Sequence, residues 1–216
     1  MTSGESSLTL DRGLALLQAV ADAGGEAATI SELAARIGAS RAAVYRLLGP
    51  LDERGLVFRD GSKVRLGVAL LRLSAQVLPQ LREAAQPVLR ELAERAGATA
   101  HLSVAEGEQA QAIAVVEPSW TSFHVAYRVG TRHAVSRGAA GNAITMRAGR
   151  QQWVVGSGEL QPGVAGVAAP LRGMSGLRAS VGVLSLEPVD AEQVGPLVAE
   201  TADTLVRALR LSATAP

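Results

Sequence analysis

The sequence predicts an α+β chain in three parts: a winged helix-turn-helix over residues 1–66, a linker helix over 67–80, and a domain over 81–216 built on a mainly antiparallel sheet. Three observations lead there. Apolar residues recur at helical spacing in three short segments before residue 52. Two strand-like segments flanking Asp60-Gly61-Ser62 follow at once, and β-rich stretches separated by turns fill most of the second half.

Leu10, Leu14, Leu17 and Ala21 recur at steps of four and three, so they share one face of a first helix, which Gly24-Gly25 ends. Ser31 is the expected N-cap of a second, short helix through Leu33, Ala34 and Ile37 that stops at Gly38. After the brief Gly38-Ala39 turn, Ser40 caps a third helix whose Val44, Leu47, Leu48 and Leu51 point inward. Two short helices joined so tightly make a helix-turn-helix. Segments 56–59 and 63–66, joined through an Asp-Gly turn, add the hairpin of a winged helix.

With its apolar side committed to the core, the third helix leaves Ser40, Arg41, Ala42, Tyr45 and Arg46 facing solvent near its N-terminal end. This set suits duplex DNA. Arginine donates two parallel hydrogen bonds to guanine or pairs with phosphate, Ser40 and Tyr45 can donate to phosphate oxygens, and small Ala42 permits close approach. Arg59 and Lys63 on the hairpin reach toward the neighbouring backbone or minor groove, and Arg12 of the first helix toward a phosphate. The competing readings are solvated surface arginines, edge-blunting charges at Arg59 and Lys63, and packing of Tyr45 against the wing. The formal charge of +1 does not decide between them.

Composition removes other classes. With no cysteine, the sequence excludes a disulfide framework, thiol catalysis and thiolate zinc sites. The longest apolar stretches, 164–171 and 179–186, fall far short of the roughly 20 residues that span a bilayer, so no membrane partner is expected. The opening Met1–Ser7 is polar and lacks the basic-then-apolar order of a secretory signal, which is the pattern of a cytoplasmic protein.

Val68, Leu70, Leu71, Leu73, Val77 and Leu78 spread apolar surface around more than one side of the linker helix. A second copy is the expected partner, and a symmetric dimer reads the two half-sites of a pseudopalindromic operator. Helical character returns over 81–95, with Pro87 marking a break or a new start. Strand-like segments follow at 100–105, 110–117, 122–129, 164–171 and 177–186. A helix is expected over 138–147, and Asp190 caps a last one. Helices on one face of an antiparallel sheet complete the expectation.

The run of residues 8–17, the segment Ile30-Ser-Glu-Leu-Ala-Ala-Arg-Ile-Gly-Ala-Ser-Arg-Ala-Ala-Val-Tyr-Arg-Leu-Leu, and Leu51-Asp-Glu-Arg-Gly-Leu-Val through Arg65-Leu-Gly resemble the DNA-binding head of the IclR family of bacterial regulators. Gly49-Pro50 inside the third helix departs from that pattern, and a bend is expected there because proline removes a donor to the Arg46 carbonyl. Gln86-Pro-Val-Leu, Arg128-Val-Gly-Thr-Arg-His, Gly138-Ala-Ala-Gly-Asn-Ala and Gly163-Val-Ala-Gly-Val resemble the family's GAF-like effector domain. The resemblance implies a regulator, commonly a repressor, that acts as a homodimer or tetramer and answers to a small organic acid or aromatic effector. It points to Ala139, Gly141 and Asn142 at a helix start, facing Ala168, Ala169, Ser180 and Val181. Backbone donors at a helix start hold carboxylates. Close packing of small residues is the competing reading. Only Thr145 to Gln161 stands where the family has a longer segment walling the pocket, which leaves a ligand-independent regulator as the alternative.

An enzyme is the remote alternative, for instance a small hydrolase using Ser136 with a histidine. His101, His124 and His133 are dispersed, no metal-ligand spacing joins them, and neither a nucleophile elbow nor a phosphate-binding loop is present. No cofactor is implied.

Overall fold

The computed structural model describes residues 7–122, 125–186 and 188–212. It divides into two compact units, Met1–Val77 and Leu78–Pro216.

The first unit opens with α1 (Leu8–Ala21), capped by the Ser7 side chain. Its buried face is Leu16, Ala19 and Val20, not the stripe expected from the sequence. Leu10 and Leu14 are 61% and 55% exposed, and Leu17 only flanks the core. The helix carries two apolar stripes, and periodicity alone does not choose between them. The strand β1 (Ala28–Thr29) leads directly into α2 (Ile30–Arg36). Here the N-cap is Thr29 rather than Ser31. The Glu32 amide donates to Thr29 Oγ1 at 3.3 Å and the Thr29 amide to Glu32 Oε2 at 2.7 Å, a reciprocal box that satisfies two otherwise orphaned donors.

The turn at Gly38, with φ +61°, delivers the chain to α3 (Arg41–Glu53), capped by Ser40 Oγ accepting from the Ala43 amide at 3.2 Å. The helix runs through Pro50 without interruption. Strands β2 (Val57–Asp60) and β3 (Lys63–Leu66) pair from Val57↔Leu66 to Asp60↔Lys63, so the loop between them is Gly61-Ser62, and β1 adds on the other side of β3. Leu16, Leu33, Val44, Leu48, Val57 and Val64 close one core among these elements.

A single helix, α4 (Ala69–Ala96), covers both the expected linker and the helix beyond it, and it continues through Pro79 and Pro87. The division between the two units falls inside it. In the second unit the sheet order is β6-β5-β4-β9-β8-β7, antiparallel throughout. Its strands are β4 (Thr99–Glu106), β5 (Gln109–Val116), β6 (Arg132–Ala134), β7 (Val154–Ser157), β8 (Ala165–Pro170) and β9 (Ala179–Ser185). Residues expected to form a strand at 122–129 run irregularly where they are described. The Val125 carbonyl accepts from Thr99 Oγ1 and from the Tyr127 amide, so the segment covers the sheet instead of joining it, and β6 takes the edge.

Leu81, Ala85, Leu89 and Leu92 of α4, Val198 and Leu205 of α6 (Ala191–Ser212), and the inward residues Leu102, Val167, Val181 and Val183 form the larger core. Asp190 caps α6, its Oδ1 accepting from the amides of Glu192 and Gln193. The alternate residues of the same strands face the other way. Ala168 packs on Ala139 and Ala143 of α5 (Gly138–Thr145). Helices therefore lie on both faces of the sheet, where the sequence pattern predicts them on one.

Candidate functional site

Two regions concentrate the residues singled out by sequence, one in each unit. In the first, the solvent-facing side of α3 carries Arg41, Ala42, Tyr45 and Arg46, all exposed, with Ser40 exposed at its cap. Val44 and Leu48, fully buried, fix the opposite side, so the rotation of the helix and hence the direction of both guanidinium groups is set by the core. Ser40 Oγ spends an acceptor lone pair on the Ala43 amide, which leaves its proton available for an external oxygen. Arg12 and Arg46 line one crevice with Thr9, Ala43 and Leu47, so α1 and α3 bring two cations to the same rim.

The wing adds Arg59 and Lys63, both exposed, on neighbouring strands. Tyr45, 42% exposed, lies beneath the Arg59 guanidinium, whose carbon is 5.7 Å from the ring centroid. The sequence offers packing of Tyr45 against the wing as a competing reading, and the residue it meets there is Arg59. A second such pair, Arg65 over Phe58 at 4.7 Å, sits on registered partners of β2 and β3 and was not anticipated. A pairing of this kind across a hairpin is legible only once the register is known.

In the second unit a cavity of about 420 Å³ is lined by residues that include Tyr127, Arg132, His133, Arg137, Ala139 and Glu159. Of the seven residues expected around an effector, only Ala139 lines it. Ala168, Ala169, Ser180 and Val181 are buried in the sheet. Ser180 Oγ donates to the Ala140 carbonyl at 3.0 Å. A side chain at Gly141 would come within 2.6 Å of the Val135 carbonyl oxygen, so glycine there permits close packing. Asn142 reaches toward Glu159, its Nδ2 3.5 Å from Oε2.

Glu159 was missed by sequence. Its Oε2 accepts from the Gly138 amide at 2.8 Å, at the first residue of α5, and Arg137 donates to its main-chain carbonyl. The start of α5 thus already holds a carboxylate, supplied by the chain itself. Beside the cavity, His133 and buried His101 each present an Nε2 without a hydrogen-bond partner. His124 lies outside the described residues, as do residues 1–6. Among the described residues no helix is long and apolar enough to cross a membrane, and no cluster of three or more histidine or carboxylate side chains is placed to hold a metal.

Residues 9–61 match the IclR helix-turn-helix domain, and residues 75–152 match the bacterial transcriptional regulator IclR C-terminal domain. The chain belongs to the IclR family. Its relatives are transcriptional regulators rather than enzymes. It is 30% identical over 148 residues to the HTH-type transcriptional regulator BhcR of Paracoccus denitrificans, which covers 64% of this chain and 50% of that protein. With the acetate operon repressor of Salmonella typhimurium it shares 27% identity over 149 residues, 67% of this chain and 54% of the other. This IclR-family chain therefore spans about half the length of those curated relatives in the matched regions. Among solved structures it is similar to an IclR homolog complexed with 4-hydroxybenzoate from Microbacterium hydrocarbonoxydans. That match has a TM-score of 0.51 and 18% identity, and covers 94% of this chain and 99% of that one. At that identity the likeness bears on the fold alone.

Proposed function

We propose that this chain is a DNA-binding transcriptional repressor that reads a pseudopalindromic operator as a homodimer through α3 and the wing. The observation that carries the reading is the exposure of Arg41 and Arg46 on a helix whose other side is locked by Val44 and Leu48. Arg41 and Arg46 supply base and phosphate contacts, Ser40 and Arg12 hold phosphates, and Arg59 and Lys63 extend the interface along the wing. Residues 1–66 serve as the reading head, 67–80 as the linker, and 81–216 as the effector and oligomerisation domain. The expected test result is clear-cut. Arg41→Ala with Arg46→Ala abolishes sequence-specific binding, since each bidentate arginine is worth about 1–3 kcal/mol of discrimination. Thermal unfolding stays where it was, because both side chains are exposed. Retained operator affinity refutes the reading surface.

The 420 Å³ cavity beside α5 supports modulation by a small aromatic or organic-acid effector, whose binding would favour one arrangement of the reading heads over another. Glu159 favours a second reading. With the α5 start satisfied internally, the domain needs no acid to complete it, and regulation is ligand-independent. Thermal melts of the full chain with millimolar 4-hydroxybenzoate and short-chain carboxylates separate the two. A rise in melting temperature that tracks ligand concentration supports the effector. Flat melts across the series support the ligand-independent regulator.

A further inference from the structure

We infer that Tyr45 is a positioning residue for Arg59, so that the third helix controls where the wing places its cation on the duplex. The inference rests on the DNA-binding reading above and adds a division of labour within it.

The register decides which way Arg59 points. Val57 is buried and pairs with Leu66, and Arg59 pairs with buried Val64. Side chains alternate along a strand, so Arg59 shares the face of Val57 and leaves the hairpin on the side of the core, toward α3. Phe58, Arg65 and Lys63 occupy the other face, where Arg65 stacks on Phe58. The two stacked pairs therefore serve different surfaces. Only Arg59 is brought to the exposed side of α3, where the Tyr45 ring meets it at 5.7 Å.

An arginine on an exposed hairpin samples many rotamers and loses that freedom when it binds. A ring beneath the guanidinium restricts it beforehand, which lowers the ordering cost on association. The ring offers only its face to the guanidinium, and phenylalanine would offer the same. The hydroxyl, free to donate to a phosphate oxygen, is not required for this contact. Tyr45 brings no cation of its own, so any change that its removal makes in the salt dependence of DNA binding comes through the cations around it. A role confined to fold stability would not move that quantity, and the double variant with Arg59→Ala separates Arg59 from the other cations of α3.

The experiment uses the full chain and a duplex enriched by the wild-type protein from a random pool, with affinities measured from low to moderate salt. Arg59→Ala is expected to lower the slope of log affinity against log salt by about one, as it must when one fewer phosphate is neutralised. Tyr45→Leu is expected to lower it in the same direction and to weaken binding about two- to fivefold at low salt. Tyr45→Phe keeps the ring and is expected to keep the wild-type slope whatever the hydroxyl adds to affinity, and in the Tyr45→Leu, Arg59→Ala double variant the slope is expected to be no lower than in Arg59→Ala alone. Both sites are exposed, and melting curves that coincide with wild type establish that the variants fold. A wild-type slope in Tyr45→Leu overturns the inference. So does a slope lowered in Tyr45→Phe as much as in Tyr45→Leu, which would separate the effect from the ring, and so do additive losses of slope in the double variant. If the wild-type protein enriches no duplex at all, the DNA-binding reading fails and takes this one with it, an outcome separate from the other three.

Discussion

His101 shows what a single residue conceals from sequence. It lies on β4 at 1% exposure, with Nδ1 3.3 Å from Ser103 Oγ and its ring edge-on to Tyr127 at 5.4 Å. Burial, and secondarily the charge of His133, lower its pKa from 6.5 to about 4. The unfolded chain takes up a proton below pH 6.5 while the native one does so only near pH 4. The stability His101 contributes is thus fully present above pH 6.5 and is lost as pH falls across that window, by on the order of 3 kcal/mol. Urea unfolding of His101→Leu between pH 7 and pH 4 is expected to show a flatter acid side, by about one proton. An unchanged slope would mean that the imidazole is already solvated in the native state. None of this is legible in a sequence that shows three scattered histidines. By contrast, the exposed arginines of α3 were legible, because helical phase fixes their direction once the buried residues are known.

At the scale of elements, the boundaries were legible where a side chain writes them locally. Ser40 and Asp190 cap α3 and α6 as their sequence neighbourhoods indicate. The second helix begins two residues before the start that Ser31 as its cap implies, because the cap is Thr29, which has Glu32 three residues on to close the box. The face of α1 was read from the wrong stripe, since its two apolar stripes differ only in what packs against them. The strand expected at 122–129 has suitable residues and no sheet edge to join: β6 pairs with β5 through Gln109↔Ala134 to Gln111↔Arg132. Strands β6 and β7, three and four residues long, give too short a pattern to detect. The effector residues illustrate the same limit. Small residues at a helix start look alike whether they meet a ligand or a neighbouring strand, and Glu159, whose carboxylate accepts from the Gly138 amide, lies 21 residues away in sequence.

For the whole molecule, alternation of apolar residues made the antiparallel sheet legible, and the resemblance of its motifs made the two-part architecture so. That helices cover both sides of the sheet was not, because α5 is short and rich in alanine and glycine, with no stripe to orient it. Val68 and Leu71, before and within the first turn of α4, are 82% and 72% exposed, more than isolated surface apolar residues require. If a second copy covers them, replacing both by glutamate removes apolar burial and sets like charges against each other across a twofold axis. The monomer loses little by this, since neither side chain is buried within it. Sedimentation equilibrium is expected to report a dimer for the wild type and a monomer for Val68→Glu, Leu71→Glu, with the melting transition of the second unit retained. Operator affinity should fall at least tenfold as well, because the two half-sites are no longer bound together. A variant that still sediments as a dimer and binds the operator as before would place the subunit interface elsewhere.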